Sequence, residues 1–258
     1  MQKTSKLYRE LYAAGADVEK RLAIGETGVL INRQGDIITF GGTRILVASS
    51  GADGGYDESI VNAVETKSDV FPEGGPGVGG TQAAQIDVDI YAPAGEIPRK
   101  ARLAPFIRLT DGVRHSEWVP QGVFFVDTRE DVEPNGLRRI KLHGYDGMLA
   151  AEQPYPSSKL SWPALDTQAV AEIANAMGVP VDPRTWDVMT AGYRIPYPAD
   201  YSCREVLGYL ASMYAGNWIM NDSGELLLIP LWALPVETRL LVAEDRQTIT
   251  FGGVRILV

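Results

Sequence analysis

Few side chains in this sequence could do chemistry. His115 and His143 are its only histidines and Cys203 its only cysteine. Zinc takes closely spaced nitrogen and sulfur ligands, and three groups so scattered predict no zinc site. A nucleophilic serine on an elbow would stand in G-x-S-x-G, a pattern the sequence lacks. The acidic run Asp127, Glu130, Asp131, Glu133 offers oxygen ligands for Ca²⁺. Its spacing is not that of an EF-hand loop, with alternating Asp/Asn, a central Gly and a distal Glu, and it reads as a solvated turn. Asp146 and Glu152 have the acid count of a paired-carboxylate glycosidase, but an exposed helix face with both carboxylates in water accounts for the same residues. Gly75-Pro76-Gly77-Val78-Gly79-Gly80 satisfies G-x-G-x-x-G. A dinucleotide fingerprint needs a strand before it and a helix after it. The next patterned segment, Gln85 to Tyr91, alternates strictly and so reads as a strand, which makes the glycine-rich stretch a mobile loop. No catalytic, cofactor-binding or metal residue is assigned, and no cofactor is expected.

The aromatic side chains are more telling. Trp118, Tyr145, Tyr155, Trp162, Trp186, Tyr193, Tyr197 and Tyr201 are spread along the middle and second half. Tyr155, Trp162, Tyr193 and Tyr197 stand near prolines in irregular segments and read as docking loops. Aromatics bury large area at interfaces for little entropy. The same residues could form a sugar-binding platform or simply pack a core.

The bulk numbers limit the partners. With 24 Lys and Arg against 33 Asp and Glu, the 258-residue chain carries a formal net charge of -9. That excludes a general nucleic-acid binder, which needs clustered cations to neutralise phosphates, and it disfavours docking on an anionic lipid surface. No apolar run approaches the ~20 residues that span a bilayer, so no membrane anchor is expected. The charged N-terminus lacks the apolar core of a secretory signal. A single cysteine permits no intrachain disulfide.

The elements that must position these residues divide the chain. Residues 1–25 read as an N-terminal helical segment. Residues 26–143 read as a first β-barrel-like domain of short strands and tight turns, among them Val123 to Val126 and, after Glu133-Pro134-Asn135-Gly136, Leu137 to His143. The Gly144 to Ala151 stretch turns helical in composition. Residues 144–236 form an α+β domain with two short helices and a hairpin. One helix runs from Asp166 to Met177 and stops at Gly178. The other opens on Ser202-Cys203-Arg204-Glu205, a capping box. The hairpin pairs Asn217–Met220 with Glu225–Ile229. The expected class is thus β-rich α+β.

Residues 237–258 repeat 26–47. At a constant offset of 211 residues, 12 of 22 positions are identical, including Ile-Thr-Phe-Gly-Gly and Arg-Ile-Leu-Val. This reads as a duplicated β-meander that completes a second barrel or pairs with a neighbour.

Several phrases resemble tail proteins of phages and prophages of Gram-positive bacteria, above all the tail hub, the tail-tip or tail-associated baseplate protein. They are Ile97-Pro98-Arg99, Ser116 to Phe124, Val126 to Arg129, Gly144 to Leu149, Glu152 to Pro156, Tyr201 to Ala211 and Asp222 to Leu226. The resemblance covers roughly residues 85–230. It implies two β-barrel-like domains of tail-hub type related by pseudo-symmetry, the second carrying the inserted helices. It also implies a homotrimeric ring in the virion, at the tail tip, joining the tail tube to a spike or fibre. The partners implied are further copies of the chain, the tube or distal tail protein, the tape measure protein and the spike or fibre protein, with DNA passing through but not bound. The role is structural, not enzymatic. A hexameric distal tail protein and a carbohydrate-binding or cell-wall-acting tail module are the alternatives. Many relatives of this kind continue into a receptor-binding or lytic region, and no such region is read here.

Overall fold

The computed structural model describes residues 4–25, 56, 59–71, 75–91, 97, 100–133 and 136–231, with the backbone of six short strand pieces at 27–29, 39–40, 43–44, 46–48, 250–251 and 254–255. In chain order the strands are β1 (Asp17–Gly25), β2 (Thr27–Val29), β3 (Thr39–Phe40), β4 (Thr43–Arg44), β5 (Leu46–Ala48), β6 (Val61–Lys67), β7 (Gln85–Tyr91), β8 (Arg102–Thr110), β9 (Val119–Pro120), β10 (Phe124–Val132) and β11 (Arg139–Asp146). They are followed by β12 (Ala164–Leu165), β13 (Arg194–Ile195), β14 (Gly216–Met220), β15 (Leu226–Pro230), β16 (Thr250–Phe251) and β17 (Val254–Arg255). The α-helices are α1 (Lys6–Ala13), α2 (Asp166–Met177), α3 (Arg184–Val188) and α4 (Cys203–Met213).

The first body is one antiparallel sheet in the order β1-β8-β10-β11-β7-β6, with β9 added to β8. Its construction follows from period-2 patterning. In β7, Ile86, Val88 and Ile90 point inward while Asp87 and Asp89 point outward. Leu22, Leu103, Phe124, Val126, Ile140 and Leu142 bring the inner faces of the other strands to the same core. Burying each large aliphatic there contributes roughly 1.5–3 kcal/mol. The sheet curls far enough for Leu22 of β1 to exchange two 2.8 Å backbone hydrogen bonds with Tyr56, just ahead of β6. β1 and β6 share no ladder, so the sheet remains open.

The N-terminal expectation needs correcting. Helix is confined to α1, where the Ser5 hydroxyl accepts from the Tyr8 amide. Gly15 then adopts φ 69°, which ends the helix. From Asp17 the chain is an edge strand in nine-residue register with β8. Val18 and Leu22 fit a period of two as well as a helical one, and pairing with β8 decides the outcome.

The second body packs α2, α4 and the β14–β15 hairpin around Met148, Val170, Ile173, Leu207, Leu210 and Trp218. Gly178, at φ 73°, caps α2 in the left-handed conformation, and Val179 returns a 3.0 Å bond to the Ala174 carbonyl. The capping box is present at α4: the Ser202 hydroxyl accepts from the Glu205 amide and the Glu205 carboxylate accepts from the Ser202 amide. Two elements differ from the sequence reading. Gly147–Glu152 is a 3-10 turn entered directly from β11, and α3 is an additional short helix.

Among the described residues this body contains only two-stranded sheets, β12–β13 and β14–β15. Most of 26–47 and 237–258 lies outside the described residues. Within the described pieces, β3 pairs β4 as Thr39↔Arg44 and Phe40↔Thr43, and β16 pairs β17 as Thr250↔Arg255 and Phe251↔Val254. The described pieces of the two copies thus pair at equivalent positions in the same register.

Candidate interaction surfaces

The glycine-rich stretch is pinned, contrary to the mobile loop expected from its composition. Gly79 donates to the Gly216 carbonyl at 2.9 Å, and Trp218 donates to that of Gly80 at 2.8 Å. The fully buried Asn217 accepts from Gly80 at 2.6 Å and donates to the Gly77 carbonyl at 2.8 Å. The loop from the first body therefore covers one edge of the β14–β15 hairpin. The other edge is covered by residues 180–182, with Leu226 donating to Pro180 and Asp182 to Leu226. Both edges are paired, which removes a site for unwanted strand addition.

Two segments cross between the bodies at this junction: the 75–84 loop and the β11-to-turn connection. Asp146 holds both. Its carboxylate accepts from Ala84 and Met148, each at 3.0 Å, while its amide donates to the Ala84 carbonyl. Arg204 reaches from α4 to the carbonyls of Thr81 and Met148. It also lies 2.7 Å from Glu152, but Nε–H is not aligned on the carboxylate, so that contact is electrostatic. Burial raises the Asp146 carboxyl to about 6, although its amide donors and Arg204 oppose the shift. Of the two carboxylates considered from sequence, Glu152 is therefore a solvated partner of Arg204, and Asp146 is buried structure.

The histidines stay apart. His143 Nδ1 lies 2.7 Å from Asp87 on the outer face of the sheet and meets Tyr145 edge-on. His115 lies 3.6 Å from Glu19, beside a stack in which Arg108 covers the Trp118 ring at 4.5 Å and is bonded to Glu19 at 2.5 Å. Cys203 is buried against the Pro154 carbonyl. Among the described residues no three His, Cys, Asp or Glu side chains are grouped to hold a metal ion. In the acidic run, Asp131 pairs with Arg129 and Arg138, whose hydrogen bonds lower its carboxyl. The register shift at Asp127 is a bulge in the β10–β11 ladder.

Two surfaces are shaped for contact. A groove of about 380 Å³ crosses the outer face of β6, β7, β11 and β10. Its central row, in register, is Glu65, Asp87, His143 and Thr128. The other surface is aromatic. Trp162 and Tyr197 pack at 5.3 Å beside Tyr155, whose hydroxyl donates to Glu172. Of the four aromatics read as docking loops, Tyr193 and Tyr197 are exposed, Trp162 is half-buried and Tyr155 is core; Trp186 and Tyr201, outside that reading, are exposed as well. Tyr209, more exposed than any of these, was missed. Its signal is helical spacing: it falls on the exposed stripe of α4 with Glu205, Ser212 and Met213, at i, i+4, i+7 and i+8.

No family model matches the chain, and a comparison with curated proteins finds no match. Among solved structures, the 43 kDa tail protein of prophage MuSo2 from Shewanella oneidensis is similar at 12% identity, over 87% of this chain and 59% of its own, with a TM-score of 0.49. The tail protein from Neisseria meningitidis MC58 is similar at 12% identity, over 88% of this chain and 57% of its own, with a TM-score of 0.46. The chain spans less than two thirds of the length of either protein. Among the described residues no helix is long and apolar enough to cross a membrane.

Proposed function

We propose that this chain is a virion structural protein of a phage tail: a hub or baseplate subunit that forms a trimeric ring at the tail tip and joins the tube to a spike or fibre. The observation that carries this reading is spatial. Several of the phrases resembling tail hubs are far apart in sequence yet meet at one junction. Gly144 to Leu149 supplies the end of β11 and the start of the 3-10 turn. Glu152 to Pro156 pairs with Tyr201 to Ala211 through Tyr155 to the Tyr201 carbonyl and Cys203 to the Gln153 carbonyl, both at 2.9 Å. Asp222 to Leu226 brings Gly224 against Val123, in the Ser116 to Phe124 phrase. What resembles the family is thus a piece of architecture, which suits an assembly role.

In this reading two barrel-like domains of each of three subunits adapt a sixfold tube to a threefold tip, and residues 237–258, repeating 26–47, complete the second barrel or pair with a neighbour. The proposed host is a Gram-positive bacterium. The proposed partners are the tube or distal tail protein, the tape measure protein and the spike. The net charge of -9 suits a channel wall that repels DNA phosphates and lets the genome slide past. Copy number tests the proposal. Native mass measurement and imaging of the assembled tail should give three copies with an acidic lumen. Six copies would make it a distal tail protein instead, and a basic lumen would remove the channel role. The exposed Trp186, Tyr193 and Tyr197 favour one second reading, a carbohydrate-binding tail module. Saturable binding to purified peptidoglycan or teichoic acid, lost when these three become Ala, is its test.

A further inference from the structure

One stripe of α4 is apolar and open. Tyr209 is 57% exposed and Met213, one turn on, is 42% exposed, while Tyr201 packs edge-on against Tyr209 at 5.4 Å. Gly79 lies against Ser212, so the exposed Val78 beside it borders the same stripe. The rim is acidic. Asp200 and Glu205 are exposed, whereas Arg204, the only cation of α4, is turned to the carbonyls of Thr81 and Met148. Residues 147–231 as a whole hold nine acidic against four basic side chains.

A matching surface stands elsewhere on the chain. The bonds of Ser5 to Glu117 and the Asp17↔Thr110 pair bring α1, the start of β1 and the 110–117 turn to one end of the sheet. Tyr12 there is 73% exposed and Val113 87%. Residues 4–25 and 100–117 hold eight basic against five acidic side chains. Four of those acids are already engaged locally: Glu10 with Lys6, Glu19 with Arg108, Asp111 with Arg114 and Glu117 with Ser5. The two helices also match residue by residue. Arg9 stands one turn before Tyr12 on α1, and Glu205 one turn before Tyr209 on α4.

We propose that these surfaces meet between copies of the chain: α1 of one subunit lies along the exposed stripe of α4 of the next, with Tyr12 on Tyr209 and Met213 and Arg9 toward Glu205. The occupant is a second copy because one chain carries both halves, an apolar helix face rimmed by acids and an apolar helix face beside cations. Opposite charge fixes the register and orientation of such a contact, and the aromatic rings supply its buried area. The two surfaces differ, so the contact is heterologous, and it closes into a ring when the rotation between copies closes. The proposal rests on the ring reading above and says which surfaces build the ring.

Cysteine pairing on the whole protein tests this. Cys203 is fully buried, which keeps it out of the reaction. On oxidation, a mixture of Tyr12→Cys and Tyr209→Cys proteins should form disulfide-linked dimers, and neither variant alone should. Tyr209→Asp changes an exposed side chain and should raise the dissociation constant of the assembly tenfold or more in native mass measurement. A mixture that links no better than either variant alone overturns the contact, as does an assembly that Tyr209→Asp leaves intact. Copy number is read separately. Six copies with the link keep the contact and overturn the trimeric ring. Three copies without the link keep the ring and overturn the contact. A wild-type monomer overturns both.

Discussion

The side-chain amide of Asn217 donates to the carbonyl of Gly77 across 140 positions of sequence, and Asn217 also accepts from Gly80. One fully buried carboxamide thus reproduces, for the loop, what a neighbouring strand would offer. Asn217→Ala leaves the Gly80 amide without its 2.6 Å acceptor and should cost about 2–3 kcal/mol in urea unfolding. Asn217→Asp keeps an acceptor but loses the donor and adds a buried charge, so it should cost more. A loss below about 0.5 kcal/mol for the alanine variant would show that the loop is not pinned.

Gly79 should be the least replaceable glycine of the loop. It has φ 83°, and a Cβ there would stand 2.4 Å from the Ser212 hydroxyl and 3.0 Å from the Gly208 carbonyl. Gly15, at φ 69° with open space around it, isolates the backbone strain alone. Gly15→Ala should cost about 1–2 kcal/mol, and Gly79→Ala that amount plus roughly 1–3 kcal/mol for the clash. Adding Ser212→Ala should recover only part, because the Gly208 carbonyl is backbone. Equal losses for the two glycines would contradict the close approach.

Acid should weaken the second body through Asp182. Hydrogen bonds from the Arg184 guanidinium and amide and from Asn221 hold its carboxyl well below the usual carboxylate range. A depressed folded-state value means stability that is fully present above the ordinary pKa of about 4 and is lost as the pH falls below it. Thermal unfolding from pH 5 down to pH 2 should show this decline, and Asp182→Asn should flatten it.

Trp218 is fully buried and donates from its indole nitrogen to the Leu207 carbonyl at 2.8 Å, joining β14 to α4. Trp218→Phe removes that bond and opens space in the core, and should cost about 2–4 kcal/mol by chemical unfolding. It should also remove the most blue-shifted component of the tryptophan emission. An unshifted spectrum would mean that the ring is not enclosed.

Local chemistry made much of the fold readable in advance. The capping box at Ser202 and Glu205, the stop at Gly178 and the alternation of Ile86, Val88 and Ile90 each depend on neighbours within a few residues. What escaped depended on distant partners. Residues 17–25 become a strand because β8 lies beside them. Asp146 looks like a solvated carboxylate until Ala84 and Arg204 surround it. The glycines of 75–80 signal freedom in sequence, but at Gly79 the missing side chain is what lets the loop lie against α4. The candidate surfaces were half visible. Neighbouring prolines pointed to Tyr193 and Tyr197, which are exposed, but equally to Tyr155, which is core, while the groove around Asp87 and His143 exists only once four strands are in register.

The loop that covers β14 also determines where the chain can be cut. A fragment starting near Gly147 would keep the helices, the hairpin and most of their core, and would look like a separable unit. It would lack residues 79–80, and the amide of Trp218 and the carbonyl of Gly216 would open onto solvent as a bare strand edge. Such a fragment should self-associate through that edge, and a synthetic 75–84 peptide supplied in excess should restore the monomer. During synthesis the loop leaves the ribosome some 135 residues before the strand it covers, so this closure belongs among the last events of folding.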